Sequence, residues 1–259
     1  MPPLGGAGRR PWGAAVSRGT VLGLHGAPTA TARKAGLDAS GKLPARGADK
    51  AADKPAAPRP THVPAHARHE VRIVGGQWRR SVLPVANKPG LRPTPDRVRE
   101  TLFNWLGQDL SGWRVLDAFA GSGALGFEAA SRGAAQVVLL EQDADLVKSL
   151  SASRERLKAV GMRVQRADGL GWMRGAPPAS LELILLDPPF DAGLALPAVQ
   201  AAARLLVLGG FIYLESAEPA PAELPPGLQL YRQGRAGAVH FALLRAAEPG
   251  EGAAGSVAG

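Results

Sequence analysis

The chain of 259 residues contains no cysteine, which removes disulfides, thiolate nucleophiles and cysteine-based zinc sites from consideration. It also lacks any apolar run long enough to cross a bilayer, and no signal-type segment stands near Met1. Histidine is scarce. His62, His66 and His69 fall close together, but Pro64 between them breaks a helix, so no metal site is expected. His25 and His240 are isolated, and no internal repeat is visible. A cytoplasmic location is expected. The first acidic residue is Asp38, which leaves an organellar transit peptide open, although the Ala/Gly/Pro bias runs on through the rest of the chain and favours a general compositional habit.

What is present is unevenly distributed. Residues 1 to 70 carry 11 Lys+Arg against 4 Asp+Glu, and the rest of the chain 20 against 18, so this stretch supplies +7 of the total net charge of +9. It is rich in Ala, Pro and Gly and has little apolar periodicity. Such a segment cannot bury enough surface to offset its ordering entropy and is expected to be a disordered basic tail. A flexible basic arm raises non-specific affinity for nucleic acid at low salt; an unselected extension, or a start placed too early, is the favoured alternative. Residues 248 to 259 are Gly/Ala-rich and expected to fray.

From Gly112 onward, short apolar runs alternate with amphipathic stretches, the pattern of a mostly parallel sheet covered by helices on both faces. The strands are predicted at 113–119, 136–141, 162–167, 181–187 and 210–216, as continuous apolar runs buried on both sides. Helices are predicted near 123–132, 143–159 and 194–208. Two further strands, 228–233 and 238–245, form an antiparallel hairpin around Gly234-Arg235-Ala236-Gly237. Upstream, 71–85 reads as two short strands around Gly75-Gly76. Residues 94–106 read as a helix that Thr94 can cap, with Pro95 at its first position and Val98, Leu102, Trp105 and Leu106 on one apolar face. The fold class is therefore α/β, Rossmann-like: one domain over 71–247, with a seven-stranded sheet, a C-terminal antiparallel hairpin and a small N-terminal hairpin at 71–93.

The stretch Asp117 to Gly126, DAFAGSGALG, joins the first of these sheet strands to the first helix. Its small residues, Ala120, Gly121, Ser122 and Gly123, let a ligand approach the backbone. Glu141 closes the next strand, where a carboxylate suits the hydroxyls of a ribose. Both features fit NAD and S-adenosylmethionine equally. Asp117, at the end of its strand, faces a cation better than a pyrophosphate and favours the sulfonium cofactor. Asp168, after the third strand, fits an acceptor for the adenine amine or a plain helix cap.

The fourth strand ends in Asp187-Pro188-Pro189-Phe190, at the edge of a parallel sheet where ligands sit. The lone pair of an exocyclic amine is delocalised into its ring, so the amine attacks poorly until its two N–H groups are held. Asp187 and the Pro188 carbonyl can accept those hydrogens, Pro189 stiffens the turn, and Phe190 can stack on the base. Methyl transfer is then mainly a matter of alignment, with fixed acceptors stabilising the charge that develops on nitrogen.

The strings RIVGGQWRRSVLPV, GLRPTPDRVRETLFNWL, DAFAGSGALGFEAASRGA and LLDPPF resemble the bacterial 16S ribosomal RNA guanine-N2 methyltransferases of RsmD type, over roughly residues 71 to 245. The resemblance implies a class I methyltransferase fold, S-adenosylmethionine as donor, and a guanine of small-subunit rRNA as target, within an assembled or assembling subunit. It implies that Asp187 to Phe190 hold the guanine amine, that Asp117, Gly121, Gly123 and Glu141 hold the cofactor, and that the LRPTPDRVRE segment, with Arg92 and Thr94, covers its methionine end. The long basic N-terminal extension and Gln165 to Asp168 depart from the family pattern, which weakens the adenine contact.

Seven basic residues lie in 71–100: Arg72, Arg79, Arg80, Lys88, Arg92, Arg97 and Arg99. With Trp78 among them, they form a candidate RNA patch in which Trp78 stacks on an unpaired base, or else Trp78 packs into the core. Two other functions compete. One is an amino methyltransferase acting on DNA bases or protein glutamine, although the stretch after Asp187 is short for a DNA target-recognition domain. The other is a non-catalytic ribosome-assembly factor, which would have no need of an amine clamp. A monomer is expected.

Overall fold

The computed structural model describes residues 70–247 except 89, 90, 92, 191 and 192. The expected tails therefore lie outside the described residues, apart from Glu70, which opens the first strand. The N-terminal hairpin pairs β1 (Glu70–Arg72) with β2 (Val82–Pro84). The main sheet has the order β5 (Met162–Arg166), β4 (Gln136–Glu141), β3 (Arg114–Asp117), β6 (Leu181–Leu186), β7 (Leu206–Ser216), β9 (Val239–Ala246), β8 (Leu228–Ala236). Among the seven described strands of this sheet, β9 alone runs against the direction of the others. The chain winds outward in both directions from β3 and β6, so the topological switch point lies between them, where an open α/β sheet binds its ligand.

The helices are α1 (Asp96–Trp105), α2 (Ala124–Ser131), α3 (Ala144–Arg156), α4 (Gly169–Gly175) and α5 (Ala195–Ala203). The sheet residues divide by the period of two. Val115, Leu139, Leu183, Leu185 and Tyr213 pack in one core with α1, α2, α3 and the small hairpin. Leu116, Leu140, Ile184, Leu186, Ile212 and Leu214 pack in the other, with α4 and α5.

Several sequence expectations are corrected. Helix α4, GLGWMRG, was not foreseen: three glycines in seven residues erase its local propensity, and Asp168 starts it by accepting from the Gly171 N–H at 2.7 Å. Helix α5 stops at Ala203, because β7 already begins at Leu206. The hairpin turn is tighter than expected, since Ala236 pairs with Val239 and only Gly237-Ala238 form the connection. Gly234 lies within β8, where a Cβ would stand 2.4 Å from the Phe241 ring. Thr94 does not cap α1. Pro95 occupies the cap position without a side-chain bond, and the Thr94 hydroxyl is directed elsewhere.

The small hairpin is fastened to α2 through buried charge. Glu128, fully buried, accepts from the Val74 and Gly75 N–H groups, both at 2.8 Å, from Arg99 at 3.2 Å and from Arg132 at 2.9 Å. Gly75 and Gly76 make that approach possible. A Cβ on Gly75 would strike the Arg132 guanidinium at 2.3 Å, and one on Gly76 would sit 1.9 Å from the Ser131 carbonyl oxygen.

Candidate active site

Four carboxylates gather at the carboxyl ends of four neighbouring strands. Asp117 follows Val115 in β3, Glu141 follows Leu139 in β4, Asp187 comes two residues after Leu185 of β6, and Glu215 follows Tyr213 in β7. Each continues, at a spacing of two, the residues that pack against α1 and α2, so all four emerge on the same face of the sheet.

Their surroundings differ. Asp117 is 1% exposed; Oδ2 accepts from the Gly126 N–H at 3.0 Å, while the buried Oδ1 has no partner meeting hydrogen-bond geometry. Burial pushes its carboxyl up to about 7, with the Gly126 and Phe119 backbone N–H groups opposing and the charges of Glu141 and Glu215 adding to the rise. Burial also raises Asp187 well above the carboxylate range, helped by Glu215 and Asp117, and the Thr94 hydroxyl beside it pulls the other way. Glu215, buried and raised for the same first reason, receives the Thr94 hydroxyl at 2.7 Å and the Tyr213 hydroxyl at 3.0 Å on Oε1. Arg99 is the cation whose field reaches Glu215, and its own nitrogens are committed to Glu128, Asp96, and the Thr94 and Arg72 carbonyls.

The glycine loop is shaped by packing as much as by access. Gly121 and Gly123 have φ of 51° and 79°, a left-handed backbone that favours glycine. Leu91, from the segment before α1, lies against Gly121, where a Cβ would stand 3.0 Å from its Cδ1. Gly126 serves the sheet: a Cβ there would be 2.2 Å from Leu139, and its N–H is the one held by Asp117. Ala120 is buried, and Ser122 is partly exposed beside Gly121. Glu141 accepts the Gly121 N–H on one oxygen and the Asp143 N–H on the other, each at 2.9 Å, so its carboxylate is fixed with lone pairs to spare for a diol.

After β6, Pro188 is buried, Pro189 is exposed, and Phe190 is 45% exposed. A small pocket open to solvent is lined by Pro188, Pro189, Phe190, Leu194, Glu215 and Ser216. Asp168 is exposed, and its oxygens are engaged by Gly171 and by Gln142 Nε2 at 3.0 Å, so the structure shows the capping role.

The basic patch is smaller than its sequence count. Arg72, Arg79, Arg80 and Arg97 are exposed. Arg99 is fully buried, Lys88 is paired with Asp143 and Asp145, and Arg92 lies outside the described residues. Trp78 is partly buried against the core, and its backbone N–H donates to the Ser131 hydroxyl at 2.9 Å. Among the described residues, no group of acidic or histidine side chains is placed to hold a metal, and no helix is long and apolar enough to cross a membrane.

Glu215 was not foreseen. The signal was available, because Ile212, Leu214 and then Tyr213, Glu215 continue the alternation of a strand edge, but a single acid after an apolar run carries little weight without its neighbours.

The family profile described as Conserved hypothetical protein 95 matches residues 71–245. Ribosomal RNA small subunit methyltransferase D of Escherichia coli is 40% identical over 191 residues, covering 70% of this chain and 93% of that protein. The Haemophilus influenzae protein of the same name is 38% identical, covering 69% and 95%. Among solved structures, Escherichia coli yhhF superposes with a TM-score of 0.62 at 35% identity, covering 69% of this chain and 98% of its own. The profile match and the identity across nearly the full length of these relatives show that the chain belongs to the ribosomal RNA small subunit methyltransferase D family.

Proposed function

We propose that this protein transfers a methyl group from S-adenosylmethionine to the exocyclic N2 amine of one guanine in 16S rRNA, acting on the small ribosomal subunit. The observation that carries the donor assignment is the unbalanced negative charge at the switch point. The buried Asp117 and Glu215 converge there with the half-buried Asp187, Oδ1 of Asp117 has no partner in good hydrogen-bond geometry, and the nearby arginine is committed elsewhere. A pyrophosphate would be repelled at such a site, whereas a ligand carrying an ammonium and a sulfonium supplies the missing positive charge. The same glycine pattern would otherwise suit a dinucleotide.

Asp117 and the Gly121–Gly123 turn would hold the charged methionine end, with Leu91 and Thr94 covering it. Glu141 would take the ribose hydroxyls, and Asp168 would offer a remaining lone pair to adenine. S-adenosylmethionine supplies an electrophilic methyl on sulfur. Asp187 and the Pro188 carbonyl accept the two hydrogens of the guanine amine, which turns its lone pair out of conjugation, and Asp187 is placed to take the proton that the nitrogen loses. Phe190, exposed at the rim of the pocket, stacks on the base. Arg72, Arg79, Arg80 and Arg92 would contact rRNA phosphates, and the names of the relatives support rRNA as the acceptor. The folded domain is assigned to residues 71–247, acting as a monomer in the cytoplasm.

Tritiated methyl transfer to small subunits from a strain lacking the gene tests this reading, with parental subunits and naked DNA alongside. Label confined to the deficient subunits and recovered as N2-methylguanosine is expected. Label in DNA, or none in rRNA despite cofactor binding, would overturn it.

A further inference from the structure

Glu215 has no part in the amine clamp, yet it stands beside it. Leu186 of β6 pairs with Leu214 of β7, so the next residues, Asp187 and Glu215, are neighbours across two parallel strands about 4.8 Å apart, on the same face. Glu215 is 3% exposed and lines the pocket shared with Pro188, Pro189 and Phe190. The Thr94 and Tyr213 hydroxyls both donate to Oε1. Among the described residues none donates to Oε2. Two hydroxyls on one oxygen of a buried carboxylate fix its orientation and leave the other oxygen available to a ligand.

Guanine presents two adjacent kinds of donor on its pairing edge, the N2 amine and the N1–H. Adenine and cytosine place an unprotonated ring nitrogen, an acceptor, next to their amines. From this geometry we infer that Glu215 is the specificity-determining residue of the site, accepting the guanine N1–H on Oε2 while Asp187 accepts from N2. This inference rests on the reading of the protein as a guanine-N2 methyltransferase. Against adenine or cytosine, the Glu215 carboxylate would meet a ring lone pair, so an amine held in the clamp is rejected by its neighbour. A site built around a hydrogen bond to its substrate discriminates strongly against an analogue lacking it. The arrangement explains why an Asp-Pro-Pro-Phe turn, which suits any exocyclic amine, acts on guanine.

The probe is 2-aminopurine, which keeps the amine at position 2 but has an unprotonated N1. Small subunits are reconstituted on 16S rRNA ligated to carry guanine or 2-aminopurine at the methylated position, and kcat/KM is measured for each with wild type, Glu215→Gln and Glu215→Asp. Wild type is expected to prefer guanine by about 100-fold or more. In Glu215→Gln, whose amide can donate to the bare nitrogen, the preference is expected to fall below about 10-fold; Glu215→Asp, which keeps the charge, is expected to retain most of it. A wild-type ratio near one overturns the inference whether or not the variants fold, as does a Glu215→Gln variant that slows both substrates equally and leaves the ratio unchanged. If wild type methylates neither subunit, it is the guanine-N2 reading itself that fails.

Discussion

Replacing Asp117 by Asn separates what this residue does for folding from what it does for the ligand. The carboxyl is 1% exposed and burial pushes it up to about 7 from an ordinary 3.8. The folded state therefore holds a proton that the unfolded chain loses between about pH 4 and pH 7, and the protein loses stability through this group as pH rises across that window. At about 1.4 kcal/mol for each pH unit, the cost at pH 8 is about 4 kcal/mol, while at pH 4 less than about 1 kcal/mol remains. Asn has no charge to bury, and its carbonyl can still accept the Gly126 N–H that Asp117 now holds at 3.0 Å. In the ligand-free protein, Asp117→Asn should therefore stabilise at pH 8 by up to about 4 kcal/mol, or roughly 8 to 16 °C in melting temperature for a domain of this size. The gain should nearly vanish at pH 4. The same change removes a carboxylate from a site assigned to a cation, so affinity for S-adenosylmethionine should fall by about tenfold or more. Urea denaturation followed by circular dichroism at the two pH values, with calorimetric titration of the cofactor, measures both effects. A variant less stable than wild type at pH 8, or a difference that grows toward pH 4, would show that Asp117 is a satisfied anion in the folded state and would refute the charge-imbalance argument.

Three other variants test the supports of the fold and the proposed RNA contacts. Glu128→Ala leaves Arg99 and Arg132 buried without their shared acceptor and should cost about 3 to 5 kcal/mol in urea denaturation; a loss below about 1 kcal/mol would show that the hairpin is held by packing alone. Gly126→Ala places a methyl 2.2 Å from Leu139 and should cost about 1 to 3 kcal/mol through overpacking, with a neutral result showing that α2 can slide away from β4. Arg79→Ala combined with Arg80→Ala removes two exposed charges and should lower the slope of log affinity for small subunits against log salt by roughly 1.5, at the usual 0.7 to 0.9 per phosphate contact; an unchanged slope would place the RNA elsewhere.

The sheet was legible because its strands are buried on both faces and announce themselves as apolar runs. QVVLLE became β4 with the predicted limits, and LELILL became β6. What the sequence hid were features decided by distant partners. Thr94 has the position and chemistry of a helix cap, but a buried Glu215 lies 121 residues away and takes its hydroxyl instead. Arg99 counts as a surface charge in any tally, yet Glu128 draws it into the core. Trp78 sits in a basic run, and its partial burial against the core depends on how the hairpin meets α2, which the local sequence does not encode. Asp117, Glu141 and Asp187 were found because each ends a recognisable strand next to a turn motif. Glu215 ends one too, but only the pairing of β7 with β6 reveals what it stands beside.

Nucleoside analysis tests inside the cell whether Asp187 to Phe190 hold a guanine amine of 16S rRNA for methylation. 16S rRNA is digested from a strain lacking the gene and from the same strain carrying wild type or Asp187→Ala, and N2-methylguanosine is counted by mass spectrometry. The deletion should lose one N2-methylguanosine per 16S rRNA and wild type should restore it. The Asp187→Ala protein, matched in abundance and slowed about 100-fold or more by loss of a preorganised acceptor, should leave the position largely unmethylated during growth. Full methylation by Asp187→Ala, or an unchanged N2-methylguanosine content in the deletion strain, would contradict the account.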